Sequence, residues 1–197
     1  MVVFLGVLFG FSVVYSVLNV RRVLPYLKTT DGGSFSRGKV TVVVLLLFFL
    51  NGLGVWAISD VFTISPDRVS GNGNPAILLM MPLMPLFAMF VLAVALVSYH
   101  LFFRISTSMN FIVSTICLVL TLICIFIEMN LVDHLVEALG GPPSETDSRI
   151  YRFDWFNQYT NPLYFNWATL SMSILVTIMG TGIWTGWSRS SKRKLST

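Results

Sequence analysis

The sequence predicts an all-α integral membrane protein, with five transmembrane helices bundled into a single domain over residues 1–197. Three observations predict it. Five apolar stretches, roughly 2–20, 40–58, 76–99, 110–127 and 163–187, are each long enough to cross a ~30 Å hydrocarbon core at ~1.5 Å rise per residue. The composition, 55% hydrophobic and 11% charged with a mean hydropathy of +0.77, lies outside the range of soluble domains. Charge alternates in sign between successive connecting segments. Arg21, Arg22, Lys28, Arg37, Lys39, Arg104, Arg189, Lys192, Arg193 and Lys194 fall on one side, against a single acid, Asp31. Asp60, Asp67, Glu128, Asp133, Glu137, Glu145, Asp147 and Asp154 fall on the other, with only Arg68, Arg149 and Arg152. Cytoplasmic loops retain Lys and Arg, so the chain is expected N-out and C-in, with its C-terminus in the cytoplasm and the plasma membrane as its location. The net charge of +4 is then a sum over two faces and no sign of a nucleic-acid partner.

The first span has no basic residues ahead of it and carries Arg21 and Arg22 behind it, which fits a retained anchor rather than a cleaved signal. Gly6 and Gly10 form a GxxxG pair there, a groove that lets another backbone approach closely. In the second span Asn51 sits beside Gly52 and Gly54. An amide in hydrocarbon must find a partner, and the glycines let a neighbouring backbone come within reach. The third span holds Pro82 and Pro85, each removing a helical hydrogen bond and predicting a kink, among Met80, Met81, Met84 and Met89. Those thioethers read as flexible core filling rather than a Cu(I) site.

The fourth span is expected to run past the hydrocarbon. Leu131, Leu135 and Leu139 continue one apolar stripe until Gly140, Gly141, Pro142 and Pro143 stop the helix, giving an amphipathic extension at the start of an outer loop over 128–162. Its apolar stripe needs cover from lipid, another loop or a partner subunit; the Gly-Pro turn can fold 150–160 back over 131–139, and we expect another subunit to complete the seal. The loop is rich in rings. Tyr151, Phe153, Trp155, Phe156, Tyr159, Tyr164, Phe165 and Trp167 suit an interfacial belt or a partner and lipid surface, represented foremost by Trp155, Phe156, Tyr159 and Trp167. Asn161-Pro162 predicts a turn into the fifth span, where Gly182 and Gly186 repeat the small-residue spacing after Thr177 and Thr181. A basic cytoplasmic tail, 188–197, follows.

Chemistry is sparse. The span cores hold no ionisable side chain, whereas membrane catalysis and ion coupling draw on such groups. Cys117 and Cys124 share one helix two turns apart and cannot pair with each other. Glu128, Asp133, His134 and Glu137 are the candidates for a metal or a proton relay, with a solvated helix face as the ordinary reading. No catalytic residue and no cofactor is expected; a bound phospholipid is. The predicted function is a non-catalytic accessory or structural subunit of a larger membrane complex, whose partners are other integral membrane subunits and membrane lipids. The alternatives are a small transporter or channel with a site near Asn51 and the proline-kinked third helix, or a membrane enzyme acting on lipid or quinone.

Overall fold

A computed structural model describes residues 37–68 and 73–194, with side chains for 41–68 and 73–190. The predicted first span, with Gly6 and Gly10, lies outside the described residues. Four long helices follow one another: α1 (Arg37–Trp56), α2 (Ile77–Phe102), α3 (Thr107–Ala138) and α4 (Trp167–Lys194). Each is part of a segment long and apolar enough to cross a membrane. They alternate in direction, so one end of the bundle gathers the acidic connections and the other the basic ones.

The helix bounds follow local chemistry. Ser106 caps α3, its Oγ accepting from Met109 N at 3.3 Å. Gly140 and Gly141 end the same helix with positive φ, and their amides donate to Glu137 O and Val136 O at 3.0 and 2.9 Å. That pair of bonds is a Schellman motif, which satisfies carbonyls the helix leaves open. α4 begins four residues later than the apolar run. Asn161–Leu163 first makes a 3₁₀ turn, and Asn166 and Thr169 then cap each other: Thr169 N donates to Asn166 Oδ1 at 2.9 Å and Asn166 N to Thr169 Oγ1 at 3.1 Å. α2 continues through Pro82 and Pro85 as one helix. Beyond Trp56, α1 widens into a π turn over Ala57–Val61 that hydropathy does not foreshadow, and Ile58 within it is fully buried.

α4 is the hub. It packs most extensively on α3, then on α2, and also touches α1, which leans mainly on α2. Leu170 joins Leu47, Phe90 and Val94 in an apolar core between α1, α2 and α4, with Ile174 and Ile178 packed against it. An adjacent stripe of α4, Ser173, Thr177, Thr181 and Thr185, is buried, and each hydroxyl donates to the carbonyl four residues back at 2.6–2.7 Å. On α3 the buried positions are Asn110, Ser114, Cys117 and Thr121, again small or polar. Ser114 Oγ reaches across to Met179 O at 3.3 Å. Turned with its nitrogen towards them, the Asn110 amide donates to Phe102 O and Ser106 O at 3.3 and 3.2 Å.

At the basic end Arg189 of α4 spans the short α2–α3 connection. Its guanidinium donates to Ile105 O at 2.6 Å and to Phe103 O, and lies 4.9 Å from the Phe103 ring centroid. A cation thus meets carbonyls just past the C-terminus of α2.

Glycine substitutions on α4 test this packing. A Cβ at Gly182 would overlap Ser114 Oγ and touch the Phe102 ring, whereas one at Gly180 would meet nothing within 4 Å. Gly182→Val is expected to cost about 1–3 kcal/mol of stability, the range for overpacking. Gly180→Val should be neutral. Thermal unfolding of the two variants in one detergent checks it, and equal midpoints would refute the close α3–α4 contact.

Candidate functional site

The acidic end carries most of the residues that the sequence singles out, and there the chain closes over itself. Leu139 (1% exposed), Ile150 and Tyr159 form a small core with Ile64 and Leu135 packed against it. Ile58, Ala76, Met80 and Leu83 form a second, covered by Leu79, Phe156 and Phe165. The segment 139–166 therefore folds back onto the ends of α1, α2 and α3. Polar bonds fix its register. Ile64 N donates to Gln158 O at 3.0 Å, and Tyr159 Oη donates to Arg68 O at 3.1 Å. The amides of Asn74 and Asn161 exchange hydrogen bonds at 2.7 and 3.1 Å. Asn157 and Thr160 close the intervening turn, Thr160 Oγ1 donating to Trp155 O at 2.5 Å. Nearby, Asp67 is held below the usual carboxylate range, chiefly by the Ser65 hydroxyl and then by its own backbone, with Arg68 and Arg149 adding to this.

This closure supplies loop cover for one end of the stripe Leu131, Leu135 and Leu139. Leu139 is sealed by Ile150 and Tyr159, while Leu131 and Leu135 are half-buried. The aromatic set divides: Tyr159 is buried, Trp155 and Phe156 are half-buried, and Trp167 is exposed. Of the methionines of α2, only Met80 fills core; Met81, Met84 and Met89 are exposed.

The proposed acidic cluster does not come together as one unit. Asp133, His134 and Glu137 are exposed on α3, and no group of three or more potential metal ligands occurs among the described residues. Glu128 is half-buried and engages α4 instead. Its Oε2 accepts from Asn166 Nδ2 at 2.8 Å, the same amide that donates to Pro162 O at 2.7 Å. Its Oε1 is buried without a partner. Glu128 and Asp133 both border an open groove on the α3–α4 flank, lined also by Ile125, Met129, Val132 and Met172.

The packing residues lie within the bundle. Asn51, 1% exposed, donates to Leu47 O at 2.8 Å on its own helix and to Leu86 O of α2 at 3.5 Å; its Oδ1 is unpaired. A Cβ at Gly54 would come within 2.5 Å of Leu83 Cδ1, and one at Gly52 within 2.9 Å of the Trp167 ring. Gly52 is the floor of a second open groove, between Phe48, Phe49, Leu53, Trp56 and Trp167. Gly182 meets Ser114 and Phe102, and Gly186 would place a Cβ 3.4 Å from the Phe111 ring. The α4 glycine face thus packs against α2 and α3. Sequence reasoning missed the tertiary bonds of Asn74, Asn161, Asn166 and Arg189, although it named Asn161 as a turn residue and Arg189 as a charge. The Asn166-x-x-Thr169 spacing carried the signal for one of them, since it is a capping-box pattern at the head of an apolar run.

Among the described residues the fold is all-helical, and its four helices long and apolar enough to cross a membrane are those of a multi-pass integral membrane protein. No family model matches the chain, and neither a curated protein nor a solved structure matches it.

The closed segment and the exposed cluster should respond differently to mutation. Leu139→Ala is expected to cost about 2–4 kcal/mol, as for other buried leucines, and to open 140–157 to protease. Replacing Asp133, His134 and Glu137 together with Asn, Gln and Gln should leave the cleavage pattern unchanged. Limited proteolysis of the detergent-purified chain distinguishes them.

Proposed function

We propose that this chain is a non-catalytic accessory or structural subunit of a larger membrane complex, joined to other integral membrane subunits along its flanks. One observation carries the reading: the flank of the bundle has an open aromatic groove beside Gly52, between Phe48, Phe49, Leu53, Trp56 and Trp167. Among the described residues α3 is buried mainly along Asn110, Ser114, Cys117 and Thr121, and its exposed flank, with Ile112, Ile116 and Val119, is ordinary lipid-facing surface. The acidic-end segment covers Leu139, and we place the partner contact on the sides of the bundle. Membrane phospholipid takes the rest of the apolar flank.

In this reading the chain has five spans, N-out and C-in, in the plasma membrane, with the end of α3 in or beyond the headgroups. The charge asymmetry between its connections supports that orientation. The five tryptophans divide between the two ends of the bundle, Trp56, Trp167 and the loop residue Trp155 towards one and Trp184 and Trp187 towards the other, which suits two interfacial belts. A transporter or channel is the second reading, favoured by the unpaired Asn51 Oδ1 inside the bundle.

A cysteine placed at Ser144 should react with an impermeant reagent on intact cells, and a reporter fused after Thr197 should be cytoplasmic. Labelling of position 144 only after permeabilisation would reverse the orientation. Purification from native membranes in mild detergent, followed by mass spectrometry, should recover the chain with stoichiometric membrane partners. Recovery as a lone stable monomer would overturn the subunit reading in favour of transport.

A further inference from the structure

α1 leans on α2 and touches α4 only lightly. Its outward side carries Val42, Leu46, Phe49, Leu53 and Trp56, all exposed, at alternating steps of four and three residues. That spacing keeps one apolar seam on a helix and is the pattern by which two helices pair along their length. Residues 1–36 precede α1 and contain the predicted span 2–20, which is followed by a basic flank, Arg21 and Arg22. Val3, Gly6, Gly10, Val13 and Val17 recur there at alternating steps of three and four. Run antiparallel to α1, as consecutive spans do, the two seams fall into one register. It sets Val3 beside Trp56, Gly6 beside Leu53, Gly10 beside Phe49, Val13 beside Leu46 and Val17 beside Val42. The same register sets Arg22 level with Arg37, so the basic flanks of both spans reach one membrane face together. Two independent patterns, apolar spacing and flanking charge, select the same alignment.

We propose that the first span docks through its Gly6 and Gly10 face on this outward seam of α1, within the same chain. In that alignment the two glycines face Leu53 and Phe49, so large side chains enter where the opposite backbone is bare. Close approach of this kind is what holds helices together in lipid. Chain connectivity selects the occupant. Residues 23–36, at ~3.3 Å each when extended, easily bridge the ~8–10 Å between neighbouring helix axes, and they tether the first span to the basic end of α1. A helix of another subunit has no such tether. Ser12, Ser16 and Asn19 fall on the opposite side of the first span, away from α1. The inference rests on the five-span reading above, and it leaves Gly52 and Trp167 to the proposed partner, in the cleft between the first span and α4.

Disulfide cross-linking of the full chain in native membranes tests the register, in a background carrying Cys117→Ser and Cys124→Ala. A protease site engineered within 23–36 separates the first span from the rest on cleavage, unless a bond joins them. Gly10→Cys with Phe49→Cys, and Val13→Cys with Leu46→Cys, should keep the two fragments in one band on a non-reducing gel until a reductant is added. Facing positions of closely packed helices lie within disulfide reach. The second pair leaves both glycines in place, so it reports even if Gly10→Cys fails to fold. Ser12→Cys with Phe49→Cys should lose the link, and its fragments should separate. Val2→Cys, labelled on intact cells by an impermeant reagent, establishes the first crossing separately. With that label present, absence of both links overturns the docking while the five-span reading stands. Links that appear only as dimers of the chain overturn it in favour of a second copy on the seam. A Ser12 link equal to that of Gly10 also overturns it.

Discussion

The close contact between α3 and α4 is the constraint on which the rest of this bundle depends. Lipid tails are as apolar as leucine, so helices inside a bilayer gain little from burying greasy faces against one another. They gain from near approach. α4 achieves it with Gly182 and Gly186, which meet Ser114, Phe111 and Thr107 of α3, and it also buries Ser173, Thr177, Thr181 and Thr185. The hydroxyls would be a liability in such a place, but each returns its proton to the carbonyl four residues back, so the polar atoms are spent within the helix. What remains is a smooth strip with no unsatisfied donor. With α3 fixed against the glycines, Leu170, Ile174 and Ile178 are set against α1 and α2. Contact of α4 with three helices follows from two adjacent faces of different chemistry.

The two ends are held by different means. The basic end has a short α2–α3 turn, and one guanidinium reaching two of its carbonyls ties it to α4. The acidic end has long connections with much backbone to satisfy. It answers with side-chain amides and hydroxyls: Asn74 with Asn161, Asn157 with Thr160, Asn166 with Thr169 and Glu128. Arg152, exposed beside this region, takes a left-handed φ of 66°. Two small apolar cores then lock these turns onto the helix ends.

What the sequence reveals and what it hides divide along the same line. Spans, the Gly-Gly stop after Leu139 and the Asn161-Pro162 turn are local properties, and hydropathy or turn chemistry displays them. Gly52, Gly54 and Gly182 are visible as small residues, although what they face is not. The closure of 139–166 depends on Ile64 meeting Gln158 and Asn74 meeting Asn161, pairings across about ninety residues that no periodicity encodes. That is why the stripe at Leu135 and Leu139 reads, from sequence, as unfinished. The polar stripe of α3 had a signal: Asn110, Ser114, Cys117 and Thr121 recur every three or four residues in a helix otherwise almost wholly apolar. In a membrane helix, the polar minority marks the buried face and the apolar majority marks the outside.

The inversion has a consequence for where partners can be sought. In a soluble protein an exposed leucine-rich face is a docking site; in a bilayer it is the default surface, and lipid covers it without specificity. Specific lateral recognition needs relief or polarity added to that surface. One place on this bundle has it: the open groove beside Gly52, walled by Trp56 and Trp167, and that is where the proposed subunit contact is placed.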